Sequence, residues 1–147
     1  MRGVEVGARV RRRPALWADS VFTANRMVTD FYRISPDVDE PSVNVVEVSL
    51  PSQLDSGEFD RLNDALLNVF AGAPGGRWVL DLSGLSYMGS SALGMMVNIR
   101  QRVRDGGGRL ALCGMSPRLL RIFQTCCLER LFTIKQARAD AVWAVAR

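Results

Sequence analysis

Two adjacent hydroxyls, Ser90 and Ser91, stand where a buried apolar run, Trp78-Val79-Leu80-Asp81-Leu82, passes through a short loop into a helical pattern that begins near Ser90. A hydroxyl in that place meets the free backbone N–H groups and the positive end of a helix dipole. Two chemistries suit it. The serine caps the helix, or it accepts a phosphate whose charge the helix end tolerates. The competing candidates carry less. The chain has three cysteines, two of them adjacent, with neither a disulfide framework nor a metal-ligand spacing, and Cys126 and Cys127 read as buried thiols. Asp55 and Glu58 resemble a carboxylate pair, but helix capping explains both without a reaction. There is no histidine, so no imidazole is present to activate a serine or complete a typical zinc site, and GxSxG is absent. Gly106-Gly107-Gly108 follows a helix and precedes a strand, the reverse of the order that cradles a phosphate. The expectation is a protein with no catalytic residues of its own, no metal and no cofactor.

The elements that must position Ser90 fit one domain. A chain of 147 residues that is 48% hydrophobic is long and apolar enough to bury a real core. No apolar run approaches the roughly 18 residues that span a bilayer, and the N-terminus lacks the apolar segment of a secretory signal. Together with the cysteine usage this favours a reducing cytoplasm. The net charge of +4 belongs entirely to Arg2, Arg9, Arg11, Arg12 and Arg13 set against Glu5. Residues 14–147 are formally neutral, which argues against a nucleic-acid-binding body. Residues 1–26 therefore read as a basic, solvated extension, and residues 27–147 as the domain.

Along the domain, Met27, Val28, Phe31, Tyr32 and Ile34 suggest an edge strand, and the stretch from Ser35 to Pro41 suggests a wide turn. Residues 43–50 are β-branched and read as a strand with Val46, Val48 and Leu50 on one face. Asp55 and Glu58 open a helix near Ser56 that turns Phe59, Leu62, Leu66, Val69 and Phe70 inward. The next helix, after Ser90, sends Leu93, Met96, Ile99 and Val103 inward, leaving Met95 near Ser90 on a contact surface. Strand 109–113 follows, then Ser116-Pro117 as an N-cap with proline at the first helical position. The helix of 117–127 buries Leu119, Leu120 and Phe123, 131–135 is a last strand, and 137–146 is a helix with Ala141, Val142 and Val145 inward. Helix–strand alternation of this kind makes an α/β fold with a partly parallel sheet.

The order of these residues also carries a resemblance. Leu80-Asp81-Leu82-Ser83-Gly84-Leu85-Ser86-Tyr87-Met88-Gly89-Ser90-Ser91-Ala92-Leu93-Gly94 resembles the signature of bacterial anti-sigma factor antagonists, members of the STAS domain family, whose loop typically reads Met-Asp-Ser-Ser-Gly-Leu-Gly. Ser52-Gln53-Leu54-Asp55 is similar to the family's Gly-Glu-Leu-Asp turn. Gly107-Gly108-Arg109-Leu110-Ala111-Leu112-Cys113 and Met115-Ser116-Pro117, then Arg121-Ile122-Phe123 and Leu128, match further on, so that the likeness covers about residues 43–147. It implies a STAS fold: a mixed four- or five-stranded sheet with about four helices. It also implies partner switching. A serine kinase that doubles as anti-sigma factor phosphorylates the first serine of the pair, Ser90 here; the unphosphorylated antagonist binds that kinase, and a phosphatase resets the cycle. The contact surface so implied comprises Ser52, Gln53, Leu54, Asp55, Gly89, Ser90, Ser91, Gly94, Met95 and Ser116. Three positions depart from the pattern: Gly89 replaces Asp, Ala92 replaces Gly, and Ser52 replaces the glycine of the turn. Two other readings stand beside this one: a STAS module docking to a membrane (lipid) transport complex, and a constitutive binder that Gly89 has made independent of phosphorylation. Direct contact with nucleic acid is not expected.

Overall fold

The computed structural model describes residues 31–50 and 56–147. The expected extension 1–26, the start of the edge strand at Met27 and Val28, and the Ser52–Asp55 turn lie outside them. The strands are β1 (Tyr32–Pro36), β2 (Val43–Val48), β3 (Arg77–Asp81), β4 (Arg109–Cys113) and β5 (Thr133–Lys135). The helices are α1 (Ser56–Ala71), α2 (Ser90–Asp105), α3 (Pro117–Thr125) and α4 (Arg138–Ala146), with a 3-10 turn at Leu128–Arg130. The strands form one sheet in the order β1-β2-β3-β4-β5. β1 and β2 are antiparallel, and the remaining pairs are parallel. The mixed five-stranded sheet with four helices matches the expected class.

β1 runs through Pro36, two residues further than the turn chemistry suggested. Proline is tolerated there because β1 lies at the sheet edge. The turn proper is an Asx turn, in which Asp37 Oδ2 accepts from the backbone N–H groups of Asp39 and Glu40, each at 3.0 Å.

The sheet is buried on both faces. On one, Val46, Val48, Leu80 and Leu112 meet Leu62, Leu66 and Val69 of α1, Met96 and Ile99 of α2, and Leu119 and Phe123 of α3. Phe70 packs edge to face on Trp78, with ring centroids 4.8 Å apart. On the other face, Val43, Val45, Val79 and Ala111 meet the expected stripe of Ala141, Val142 and Val145 on α4. The alternate residues of β2 are thus apolar too, as two covered faces require. Each parallel step (β2 to β3, β3 to β4, β4 to β5) is made through a helix, because a parallel pair needs a crossover.

The glycine turn after α2 does more than reverse the chain. A Cβ at Gly108 would lie 2.5 Å from the Gly76 carbonyl oxygen, which accepts from the Arg109 N–H at 2.9 Å. Only glycine lets the turns after α1 and α2 approach so closely. α3 ends at Thr125, two residues short of the expected end, and Leu120 is only half-buried. Cys126 and Cys127 therefore lie on an exposed turn, Cys127 with a left-handed φ of 58°, and are not the buried thiols expected. The buried thiol is Cys113, pushed up to about 12 by burial, with the nearby Asp81 charge adding to the shift.

Candidate functional site

β3 ends at Asp81, and the chain then turns out of the sheet toward α2. Leu85 and Met88 anchor this loop in the core while Ser86 and Tyr87 point outward. The loop delivers Gly89 as the N-cap of α2, in extended backbone, with its carbonyl accepting from the Leu93 N–H at 3.0 Å. Ser90 is consequently the first residue inside the helix, and neither it nor Ser91 caps the end as expected. Both are exposed, and neither hydroxyl has a hydrogen-bond partner among the described residues. A cap oxygen must come from the residue just outside the helix, and that residue has no side chain. Position 89 has room for one: a Cβ there would meet only a Tyr87 ring carbon, at 3.9 Å.

Ser90 and Ser91 stand at the rim of a groove of about 660 Å³. Leu50, Phe59, Leu85 and Met88 give it apolar walls. Leu50 and Phe59 flank residues 51–55 in sequence, so the segment holding Ser52, Gln53, Leu54 and Asp55 joins two residues of the groove. Arg118, in the first turn of α3, completes the lining and stacks over the Tyr87 ring, 5.5 Å from its centroid. It is the one charged residue lining the groove among those described. Tyr87 is 59% exposed, although it is large and aromatic.

The other expected contact residues distribute differently. Gly94 is exposed one turn along α2, and a Cβ there would meet open space. Met95 is buried at 3% exposure and belongs to the core, not to a contact surface beside Ser90. α2 packs on β4 and on α1 together, so its buried stripe (Ala92, Met95, Met96, Ile99 and Val103) is wider than one helix face. Ser116 accepts from the Leu119 N–H at 3.1 Å, which makes it the expected N-cap of α3. Its oxygen is thereby engaged in the scaffold that holds Arg118.

Sequence reasoning passed over one further group at this end of the sheet. Asp81, 7% exposed, is the buried charged residue among those described. Its Oδ1 accepts from the Ser83 N–H at 2.9 Å, where the loop begins, and its Oδ2 accepts from Arg138 Nε at 3.1 Å. The same guanidinium reaches Glu47 Oε2 at 2.7 Å. Burial opposes the Asp81 charge, but the hydrogen bonds from Ser83 and Arg138 outweigh it and hold the carboxyl below its ordinary value. Glu47 and Asp81 likewise hold the Arg138 guanidinium firmly charged. The network ties β2, β3 and α4 together directly beneath the loop that carries Ser90. Its sequence signal was the acid within the apolar run Trp78-Val79-Leu80-Asp81-Leu82.

Comparison with known proteins places this architecture. The model of the STAS domain family matches residues 35–141. The chain belongs to the STAS domain family. The Anti-sigma-B factor antagonist of Listeria monocytogenes is 27% identical over 107 residues, covering 73% of this chain and 93% of that protein. Among solved structures, an anti-sigma-factor antagonist (STAS) domain protein from Planctomyces limnophilus superposes with a TM-score of 0.65 at 22% identity, over 79% of this chain and 98% of that one. The phosphorylated form of the Bacillus cell fate determinant SpoIIAA shares the fold with a TM-score of 0.53 at 17% identity, over 78% of this chain and 98% of the other. The curated relatives of this STAS domain thus include anti-sigma-B factor antagonists from two Listeria species. Among its described residues, no group of acids and cysteines is placed to hold a metal ion, and no helix is long and apolar enough to cross a membrane.

Proposed function

We propose that this STAS domain is an anti-sigma factor antagonist that works by partner switching. Its unphosphorylated groove docks an anti-sigma serine kinase, phosphorylation of Ser90 by that kinase releases it, and a phosphatase restores the binding form. The observation that carries the reading is the position of Ser90: exposed, in the first turn of α2, on the rim of an apolar groove. A kinase must reach the hydroxyl, and a docked partner must cover it. One site meets both needs.

The physics of the switch follows from that position. A phosphate adds about −1.5 to −2 charges at neutral pH. The first turn of α2 contains no acid to repel it, and the unpaired N–H groups of the helix end favour it. The unmodified groove, with Arg118 as its lining charge, suits a partner surface that is apolar with an acidic group opposite Arg118. A phosphate on Ser90 would repel that acid and compete for the guanidinium. Coupling of about 1–3 kcal/mol changes affinity roughly 5–150-fold, without a large rearrangement of the fold. The segment Ser52–Asp55, which in the sequence lies between Leu50 and Phe59, is assigned to the same surface, with Gly89, Ser90 and Ser91 at its centre.

Titration of the cognate kinase against Ser90→Ala and Ser90→Asp tests the reading. The alanine variant retains binding, and the aspartate variant binds at least about tenfold more weakly. Equal affinities for the two variants would remove Ser90 from the docking surface.

A further inference from the structure

A second concave site lies far from Ser90 along the strands, at the amino end of β4. β5 pairs only with Ala111–Cys113, so Arg109 and Leu110 have no strand on their outer side. A cleft of about 360 Å³ opens there between the last turns of α2 and the end of α4. This volume lies within the range of small-molecule pockets.

Three arginines, Arg100, Arg104 and Arg109, line this cleft, and no acidic residue does. Arg100 and Arg104 are four residues apart on one helix, a spacing at which like charges repel and cost stability. Arg100 is fixed by its Nε, which donates to the Leu131 carbonyl oxygen. The side chains of Arg104 and Arg109 have no ion pair or hydrogen bond among the described residues. Asp105, adjacent to Arg104 in sequence, is engaged by Gln101 Nε2 at 2.8 Å. The dipole of α2 favours cations in its last turn, and Arg102 and Arg104 both stand there. The dipole gives no reason for Arg100 and Arg109 to share the cleft. The remaining wall presents Leu131, Leu110 and Thr133, backed by the buried Phe132 and Val145.

We propose that this cleft binds a small phosphate monoester, with Arg104 and Arg109 holding the phosphate, Arg100 adding its charge at the side, and the ester group resting on Leu131 and Leu110. The guanidinium fork matches phosphate geometry and pairs with it in two parallel hydrogen bonds. A dianion removes the mutual repulsion of the three cations, and the apolar wall selects for an organic group over the bare ion. The site and Ser90 lie on one helix: Ser90 opens α2, and Arg104 stands in its last turn.

Calorimetric titration of the full chain at fixed ionic strength, with inorganic phosphate and with phenyl phosphate, tests this. Phenyl phosphate binds saturably at one site and several-fold more tightly than inorganic phosphate. Arg104→Gln and Arg109→Gln each weaken it about tenfold. Arg118→Gln, in the other groove, leaves it unchanged. Circular dichroism of the variants verifies that these surface changes leave the fold intact. Absence of saturable binding, equal affinity for the two probes, retention in the Arg104 and Arg109 variants, or loss in Arg118→Gln would each overturn the proposal.

Discussion

The guanidinium of Arg118 lies 5.5 Å from the ring centroid of Tyr87, and the pair forms one side of the groove whose rim carries Ser90. The stacking keeps a large exposed aromatic ring and a cation in a defined place beside the proposed phosphoacceptor. Such contacts are worth about 0.5–1 kcal/mol at exposed sites. They contribute more to placement than to stability.

Arg118→Gln should therefore leave the thermal midpoint nearly unchanged while weakening the kinase complex about tenfold, as expected for a charge-assisted contact removed from an interface. Parallel calorimetry of unfolding and of binding separates the two effects. A variant that binds as well as wild type would show that the groove recognises its partner without this charge.

Position 89 is an N-cap without a side chain, in backbone that any residue adopts and with space for a carboxylate. Gly89→Asp should stabilise the chain by a few tenths of a kcal/mol, and it should exceed Gly89→Ala by about 0.5–2 kcal/mol, the usual value of a cap oxygen. Urea unfolding of both variants measures the difference. The comparison also separates capping from switching, since the proposed loss of the family's Asp leaves Ser90 itself exposed.

Asp81 supplies a pH dependence with a defined sign. Its carboxyl is held below the ordinary value of about 3.9 in the folded state, so its stabilisation is complete above that value and is lost as pH falls through the lower folded value. Unfolding midpoints measured from neutral pH downward should fall on the acid side, and Asp81→Asn should flatten that fall. At neutral pH the same substitution should cost about 1–2 kcal/mol, a modest figure because Arg138 is partly exposed to solvent.

The three thiols should divide two to one. Cys126 and Cys127 are exposed and should react with a thiol reagent in the native state, whereas Cys113 should react only on unfolding, being buried and pushed up to about 12. Timed labelling with mass detection distinguishes them.

Much of the fold was legible because its elements obey one period each. Arg109–Cys113 was bounded by the glycine turn and Ser116, and the α4 stripe of Ala141, Val142 and Val145 could be read directly from the helical repeat. Legibility failed where packing depends on a second neighbour. Met95 looked like a surface residue because a single-face stripe leaves it out, whereas α2 is wedged against both the sheet and α1. Cys126 and Cys127 continued an apolar pattern that the helix itself abandons at Thr125. Ser90 was displaced by one residue from the cap, since serine advertises a cap and glycine does not. The Asp81–Arg138 contact joins residues 57 apart, with no local pattern to connect them. The loop and its serines were recognisable from the sequence, but the groove was not, because Phe59, Tyr87 and Arg118 come from three separate segments.

In the proposed mechanism, Ser90 is the residue on which the switch turns. Incubation of wild type, Ser90→Ala and Ser91→Ala with the cognate kinase and ATP, followed by intact-mass and peptide mass spectrometry, addresses it directly. One phosphate is expected on wild type and on Ser91→Ala, mapped to Ser90, and none on Ser90→Ala. Phosphate that persists in Ser90→Ala but vanishes in Ser91→Ala, or a wild-type protein that binds the kinase and takes no phosphate, would contradict it.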